Sequence, residues 1–253
     1  MDVGPVHHHD VGHVVSVPAD QLSVMGVAWT LARPEVAPLS PLAPAGAWIV
    51  DLDAPGAPSG PRLAAGLRDD ELDRASRLPA GSARRWMLSR FALRDVLGAC
   101  LSREPLAVEL VADRSGKPRV TGAPRVDVSL AHSHARAVVG VSLAGDVGVD
   151  VELVRPGLHE VAIARRVLDP RAARCVADAP REARTREFFA AWTRHEAALK
   201  CRGRRLVDAL GYDVAAGLAV CDLDAGDGYA AAWACTEAAV TDTVLTARYE
   251  WPV

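Results

Sequence analysis

The sequence lacks cysteines arranged for a metal centre or a disulfide framework. Its five cysteines are odd in number, and no two of them form a C-x-x-C pair. Scattered cysteines of this kind argue against a zinc site and are typical of reduced thiols in a cytoplasmic protein. They lie at positions Cys100, Cys175, Cys201, Cys221 and Cys235.

Long apolar runs and an excess of basic charge are also missing. No stretch of 18 apolar residues occurs, and the chain does not open with the basic-then-apolar pattern of a secretion signal, so we expect neither a membrane span nor export. With 29 basic and 32 acidic residues, the net charge of −3 offers no basic field for nucleic acid or an anionic membrane. The 253 residues suffice for one large domain or two small ones.

The order of apolar patterns predicts an α+β protein. Residues 1–45 lack periodicity and are rich in proline, glycine and histidine, so we expect a mobile or loosely packed segment, with its histidines His7, His8, His9 and His13 in a solvated tail. Helices are predicted to begin at Asp69 and to span 82–101, with Ser82 as N-cap, 159–176, divided at Pro170, and 181–202. Strands are predicted at 47–53, 106–112, 126–130, 137–143, 147–153, 212–220, 229–235 and 244–249.

The predicted strand 147–153 carries two acids among its valines. Val147, Val149 and Val151 alternate with Gly148, Asp150 and Glu152. Because side chains two apart share a face of a strand, Asp150 and Glu152 point the same way. An exposed face of an edge strand would give the same pattern, so this run alone leaves its function open.

The predicted helix 181–202 carries a matching polar stripe. Trp192, Glu196 and Lys200 follow at i, i+4 and i+8 and share one face. Glu196 and Lys200 could form an ordinary surface pair. If strand and helix pack together, however, three carboxylates converge beside one ammonium, and such a set suits a hard divalent ion that also binds a substrate phosphate.

The two runs, with three further segments, resemble the signature of the 4'-phosphopantetheinyl transferase superfamily. That signature reads G-[VI]-D-x-E, followed some 40 residues later by [WF]-x-x-K-E-[AS]-x-x-K. Here the first run ends in Gly148-Val149-Asp150-Val151-Glu152, and Trp192 begins the second, 42 positions after Asp150. Upstream, Ser129-Leu130-Ala131-His132-Ser133 resembles the family's S-x-[SA]-H-[ST] segment, Gly116-Lys117-Pro118 its G-K-P turn, and Arg85 a basic residue of an early helix.

The resemblance implies a fold of two similar α/β subdomains related by a pseudo-twofold axis, which we place at 46–144 and 145–253, after the segment 1–45. It implies transfer of 4'-phosphopantetheine from coenzyme A to a serine of an apo acyl or peptidyl carrier protein, with release of adenosine 3',5'-bisphosphate. The length and two-part layout resemble the monomeric, surfactin-synthetase-activating type. The expected partners are therefore carriers of peptide or polyketide synthases.

The resemblance also assigns roles to individual residues. It implies Mg2+, with Mn2+ as the alternative, held by Asp150, Glu152 and Glu196. Glu196 is in addition a candidate base for the serine proton, directly or through a water, and Lys200 would stabilise charge on the leaving phosphate. The implied contacts to coenzyme A are Arg85, Lys117, His132, Ser133, Asp150, His195 and Lys200.

One position departs from the family pattern. His195 stands where the family usually has lysine, and histidine changes its charge near neutral pH. Two other classes stay open, the second of them because of His195. A Mg2+-dependent phosphohydrolase could use the same carboxylates with a positioned water, and an inactive coenzyme A-binding paralogue would bind the nucleotide without turnover.

Overall fold

The computed structural model describes Leu39, residues 44–236 and residues 245–252. The predicted loose segment 1–45, with its four histidines, lies almost entirely outside the described residues. Its last residues are an exception, because Leu39, Pro44 and Ala45 are buried and Ala45 opens the first strand.

The described part of the chain contains six α-helices, nine strands and two short 3-10 helices, Pro105–Ala107 and Leu206–Asp208. The helices are α1 (Gly60–Ala65), α2 (Asp69–Ser76), α3 (Ala80–Leu101), α4 (Glu160–Val167), α5 (Pro170–Asp178) and α6 (Arg181–Cys201). The strands are β1 (Ala45–Asp51), β2 (Leu110–Ala112), β3 (Pro118–Val120), β4 (Asp127–Ser133), β5 (Arg136–Ser142), β6 (Val147–Leu153), β7 (Leu218–Asp222), β8 (Tyr229–Thr236) and β9 (Leu245–Tyr249). The mixed helix and strand content agrees with the predicted fold class.

The strands form two sheets. One has six strands in the order β2-β3-β4-β5-β1-β9, and the other has three in the order β6-β8-β7. All pairs are antiparallel except β9, which runs parallel to β1. β9 follows the three-stranded sheet in sequence but joins the other sheet, so sheet membership does not follow the predicted boundary at residue 145.

The sheets and the two long helices lie in layers. α3 packs its apolar face on the outer side of the six-stranded sheet, around Trp48 and Val50. The inner faces of the two sheets meet around Ile49, Val149 and Trp233. α6 covers the outer side of the three-stranded sheet. The period-2 alternation of β6 explains this order, because its valines face the other sheet while Gly148, Asp150 and Glu152 face α6.

Several predicted boundaries are wrong for local reasons. α3 begins at Ala80 behind Pro79, so Ser82 lies inside the helix and is not its N-cap. α1 was not predicted, although Pro61 lies in its first turn, a position that proline favours. The three residues of β3 were missed because so short a strand has no readable period. The division at Pro170 is confirmed, since Pro170 opens α5 with Asp169 as its N-cap.

Side chains of β4 join the two sheets along one edge of β6. They lie at alternate positions of β4, on the face of the strand directed at β6, and they accept hydrogen bonds from alternate β6 amides. The pairs are Val147 N to Asp127 Oδ2 (2.7 Å), Val149 N to Ser129 Oγ (3.1 Å) and Leu153 N to Ser133 Oγ (3.1 Å). We call this set the β4–β6 seam.

Candidate active site

Gly148 allows β6 to lie directly against α6. A Cβ atom at this position would overlap the carbonyl oxygen of Ala197 and the amide nitrogen of Cys201, and would lie 3.0 Å from the Ala197 carbonyl carbon. These neighbours are helix backbone and have no rotamer with which to move away. The glycine of the strand motif therefore sets the distance between the acids of β6 and the polar stripe of α6.

The two motifs meet through a hydrogen bond between charged groups. Lys200 Nζ donates to Asp150 Oδ1 at 2.6 Å, across 50 positions of sequence. Asp150 is 6% exposed, whereas Lys200 remains partly open to solvent. The predicted convergence of the strand acids with the helix cation is therefore present in the structure.

Asp150 is only half satisfied by this contact. Its second oxygen, Oδ2, is buried and has no hydrogen-bond partner. Burial raises the pKa of the Asp150 carboxyl, against the lowering effect of the Lys200 charge. A buried carboxylate oxygen without a donor is costly, so this atom is a place where a cation would be bound favourably.

Glu196 shares this environment from the helix side. Burial raises its pKa first, the negative charge of Asp150 raises it further, and Lys200 opposes both effects. Glu152 acts on the pKa of both Asp150 and Glu196 in the same upward direction. The three carboxylates therefore repel one another, with one ammonium among them.

This donor set fits a hard divalent cation. Among the described residues, no three His, Cys, Asp or Glu side chains enclose an ion as they stand, and Asp150 is instead engaged with Lys200. Oxygen donors, mutual repulsion and the unpartnered Asp150 Oδ2 are nevertheless what Mg2+ would satisfy. Asp150, Glu152 and Glu196 therefore remain the candidate residues for binding such an ion.

β4 brings two further predicted residues to the carboxylates. Ser133 Oγ donates to Glu152 Oε2 at 2.9 Å. His132 has its pKa lowered by burial of its ring and then by the charge of Lys200, while Glu152 raises it. His132 and Ser133 therefore lie beside the polar groups of β6 and α6, as the order of the motifs suggested.

Lys117 lies between the two sheets. Its side chain is 4% exposed, and its ammonium donates to Asp127 and to the carbonyl oxygen of Val147, the latter at 2.7 Å. Asp127 is also the acceptor that opens the β4–β6 seam. A lysine buried in this way connects the two sheets, and the expected contact of Lys117 to coenzyme A stays a prediction.

Arg85 and His195 lie in other surroundings. Arg85 pairs with Asp53 at 2.9 Å on the surface of α3. His195 is 6% exposed and lines a cavity of about 300 Å³ together with Asp169 and Asp213. Burial lowers the pKa of His195, and those two aspartates, not the acids of β6, oppose the shift. Its place as a cavity wall favours a structural role, while the expected Arg85 contact to coenzyme A stays a prediction.

The structure also shows a residue whose importance the sequence did not reveal. Asp127 carries no motif signal of its own, yet its side chain accepts a hydrogen bond from the amide of Val147, just as Ser129 of the S-x-[SA]-H-[ST] segment accepts one from Val149. The even spacing of Asp127 from Ser129 and Ser133, which places the three side chains on one face of β4, is the signal that could have indicated it.

A membrane-spanning helix would need a long, continuous apolar stretch, and none of the helices among the described residues has one.

Comparison with known proteins agrees with this geometry. Residues 146–248 match the family model of the 4'-phosphopantetheinyl transferase superfamily. The 4'-phosphopantetheinyl transferase HetI of Nostoc sp. is 34% identical over 161 residues, which are 62% of this chain and 67% of HetI. The 4'-phosphopantetheinyl transferase AcpT of Salmonella typhi is 32% identical over 142 residues, which are 56% of this chain and 69% of AcpT.

A third relative is the Synechocystis sp. protein slr0495, whose name also refers to a 4'-phosphopantetheinyl transferase. It is 29% identical over 160 residues, 62% of this chain and 64% of slr0495. The chain thus spans about two thirds of the length of the curated relatives it matches. The strand and helix motifs that meet at Asp150 and Lys200 lie within the matched family region. This chain belongs to the 4'-phosphopantetheinyl transferase superfamily.

Proposed function

We propose that the chain transfers the 4'-phosphopantetheine group of coenzyme A to a serine hydroxyl of an apo carrier protein and releases adenosine 3',5'-bisphosphate. The observation that carries the proposal is the bond from Lys200 Nζ to Asp150 Oδ1 at 2.6 Å. It joins the two halves of the family signature at one point, among carboxylates that burial and mutual repulsion make receptive to a cation.

The reaction needs a group that takes the serine proton. The oxygen of the carrier serine forms a bond to the phosphorus of the pantetheine phosphate. The bond from that phosphorus to the oxygen of the leaving nucleotide phosphate breaks. Glu196 is the candidate acceptor, directly or through a water that it orients, because a raised carboxyl pKa brings its basicity closer to neutral pH.

Lys200 is suited to the leaving side of the reaction. Its ammonium is partly exposed and sits on a flexible chain, so it can move from Asp150 to a phosphate oxygen. Negative charge accumulates on that oxygen as the bond breaks, and a positioned cation lowers the energy of this state more than that of the bound substrate. Loss of the ammonium should therefore affect turnover more than binding.

Asp150, Glu152 and Glu196 would hold Mg2+, or Mn2+ in its place. The bound ion would offset the charge of the pyrophosphate oxygens. His132 would donate a hydrogen bond to a phosphate of coenzyme A beside Lys200, and Arg85 would provide a further cationic contact.

We further propose that the protein is a monomer of the surfactin-synthetase-activating type, acting in the cytoplasm on carriers of peptide or polyketide synthases. The support for this type is the layered arrangement of two sheets, each covered by one long helix.

Intact-protein mass spectrometry tests the proposal. The chain is incubated with Mg2+, coenzyme A and a panel of apo carrier proteins, and each carrier is expected to gain the mass of one phosphopantetheine group. The matched control is the same carrier with its acceptor serine replaced by alanine. Release of phosphopantetheine or phosphate without any carrier would identify a phosphohydrolase instead. Coenzyme A binding with no product in either assay would identify an inactive paralogue.

A further inference from the structure

Ser133 makes two hydrogen bonds to β6, and their directions differ. Its hydroxyl oxygen accepts from the amide of Leu153 at 3.1 Å, and its hydroxyl hydrogen is donated to Glu152 Oε2 at 2.9 Å. The first bond belongs to the β4–β6 seam. The second is made to one of the three carboxylates of the candidate metal set.

A serine hydroxyl carries a single hydrogen. While Ser133 donates it to Glu152, the same hydroxyl cannot donate to a phosphate of a bound nucleotide. The contact to coenzyme A that the resemblance implies and the contact in the structure therefore compete for one proton. The structure assigns that proton to Glu152.

A glutamate side chain has three rotatable bonds, and Glu152 lies at the partly exposed end of β6. A free carboxylate there would be distributed over several orientations, and a bound ion would have to select one of them. Hydrogen bonds from outer groups to a metal-binding carboxylate remove this freedom before the ion arrives. Ser133 is placed to do so because the Leu153 amide fixes the position of its oxygen.

We propose that Ser133 is a positioning residue, whose hydroxyl holds the Glu152 carboxylate in the orientation from which it binds a divalent cation. The inference rests on the proposed function, since it assumes that Glu152 is a metal ligand. It gives Ser133 a role towards the ion and not towards the nucleotide.

Ser129 provides a matched control. Its hydroxyl accepts from the amide of Val149 at 3.1 Å, the same distance as in the Ser133–Leu153 pair. Both serines therefore lose one seam contact when replaced by alanine, but only Ser133→Ala removes a hydrogen bond to a carboxylate of the site. Ser133→Thr keeps the hydroxyl and serves as the conservative variant.

Two affinities are measured for each variant of the full chain. Mn2+ binding is followed by electron paramagnetic resonance of the free ion, and coenzyme A binding by calorimetry in the presence of a chelator. Ser133→Ala is expected to weaken Mn2+ binding about 10-fold or more, as loss of an outer-group hydrogen bond usually does, and to leave metal-free coenzyme A affinity unchanged. Ser129→Ala should leave Mn2+ affinity unchanged, and Ser133→Thr should restore it.

The results that overturn the inference are distinct from those that overturn the proposed function. Unchanged Mn2+ affinity in Ser133→Ala, with normal binding by the wild type, refutes the positioning role. Weaker coenzyme A binding in the chelator, with Mn2+ affinity unchanged, makes Ser133 a phosphate contact instead. Absence of Mn2+ binding by the wild-type protein refutes the metal site itself. If Ser133→Ala does not fold, failure of Ser133→Thr to bind Mn2+ like the wild type decides against the role.

Discussion

Replacement of Gly148 by alanine tests whether the contact between β6 and α6 builds the site. The added Cβ would overlap the backbone of Ala197 and Cys201, with even the Ala197 carbonyl carbon at 3.0 Å. Carbon atoms pack at roughly 3.5–4.0 Å, so strand and helix must separate by about half an ångström or more. Overpacking of this kind costs about 1–3 kcal/mol, and a clash with rigid backbone belongs at the upper end.

For a chain of this length, 3 kcal/mol corresponds to a fall in Tm of about 6–12 °C. The separation also moves Asp150 and Glu152 away from Glu196 and Lys200, so we expect transfer activity and Mn2+ affinity to fall together with Tm. Thermal unfolding by circular dichroism and the carrier mass assay measure the two effects separately.

Gly81→Ala is the control for this experiment. Gly81 lies in α3, and a Cβ there meets no atom within 4 Å. Alanine has the higher helix propensity, so this variant should be as stable as the wild type or more stable by about 0.5–1 kcal/mol. If Gly148→Ala matched Gly81→Ala in both Tm and activity, the close approach of β6 to α6 would not be what assembles the site.

Four further predictions concern the charged groups. Asp150→Ala and Glu196→Ala should each abolish carrier modification in the mass assay while near-UV circular dichroism stays native; wild-type turnover at ordinary Mg2+ would contradict the metal assignment. Lys200→Ala should lower kcat on the order of 10²–10³-fold and change coenzyme A affinity far less, so a loss confined to affinity would make Lys200 a simple binding contact. Burial raises the pKa of Asp150 and Glu196 in the folded protein. Without metal, the stability that these two groups contribute is therefore fully present below about pH 4, the pKa of an unfolded carboxyl, and is lost as the pH rises through their higher folded-state pKa values. Tm curves should therefore fall with pH in chelator and fall less in Mg2+, and Glu196→Gln should reduce the fall; identical curves with and without Mg2+ would refute this. Finally, His195→Ala and His195→Lys should bind coenzyme A like the wild type from about pH 6 to pH 8, and divergence of the three affinity curves would show that His195 reaches a substrate phosphate.

The sequence indicated that the strand and helix motifs lie close together, but it gave less information on what surrounds them. Asp150, Glu152, Glu196 and Lys200 could be related because strand and helix periodicity fix which side chains share a face, and the motif spacing indicated that the two faces meet. The burial of Lys117 could not be anticipated, because its partners Asp127 and Val147 lie 10 and 30 positions away and on different sheets. A local pattern cannot show whether a lysine faces solvent or a buried carboxylate.

The elements show the same division between local and distant determinants. β6 was predicted to the residue, since alternation of valine with other residues is a local signal. β9 was located, but its parallel pairing with β1 could not be anticipated, because strand order is decided by packing between segments about 200 residues apart. The sequence identified Gly148 only as part of the G-[VI]-D-x-E motif. Its physical role depends on the backbone of α6.

The β4–β6 seam fixes the register between the six-stranded and the three-stranded sheet. Backbone ladders join the strands within each sheet, whereas the seam sets the register between the sheets by side chains at alternate positions of β4. A shift of one residue would turn these acceptors away from the β6 amides. It would also move His132 and Ser133 away from Glu152. The hydroxyls and the carboxylate that align the two strands thereby also align the groups on β4 with the acids on β6. A chain that folded with the wrong register between the sheets would therefore also have a misassembled site.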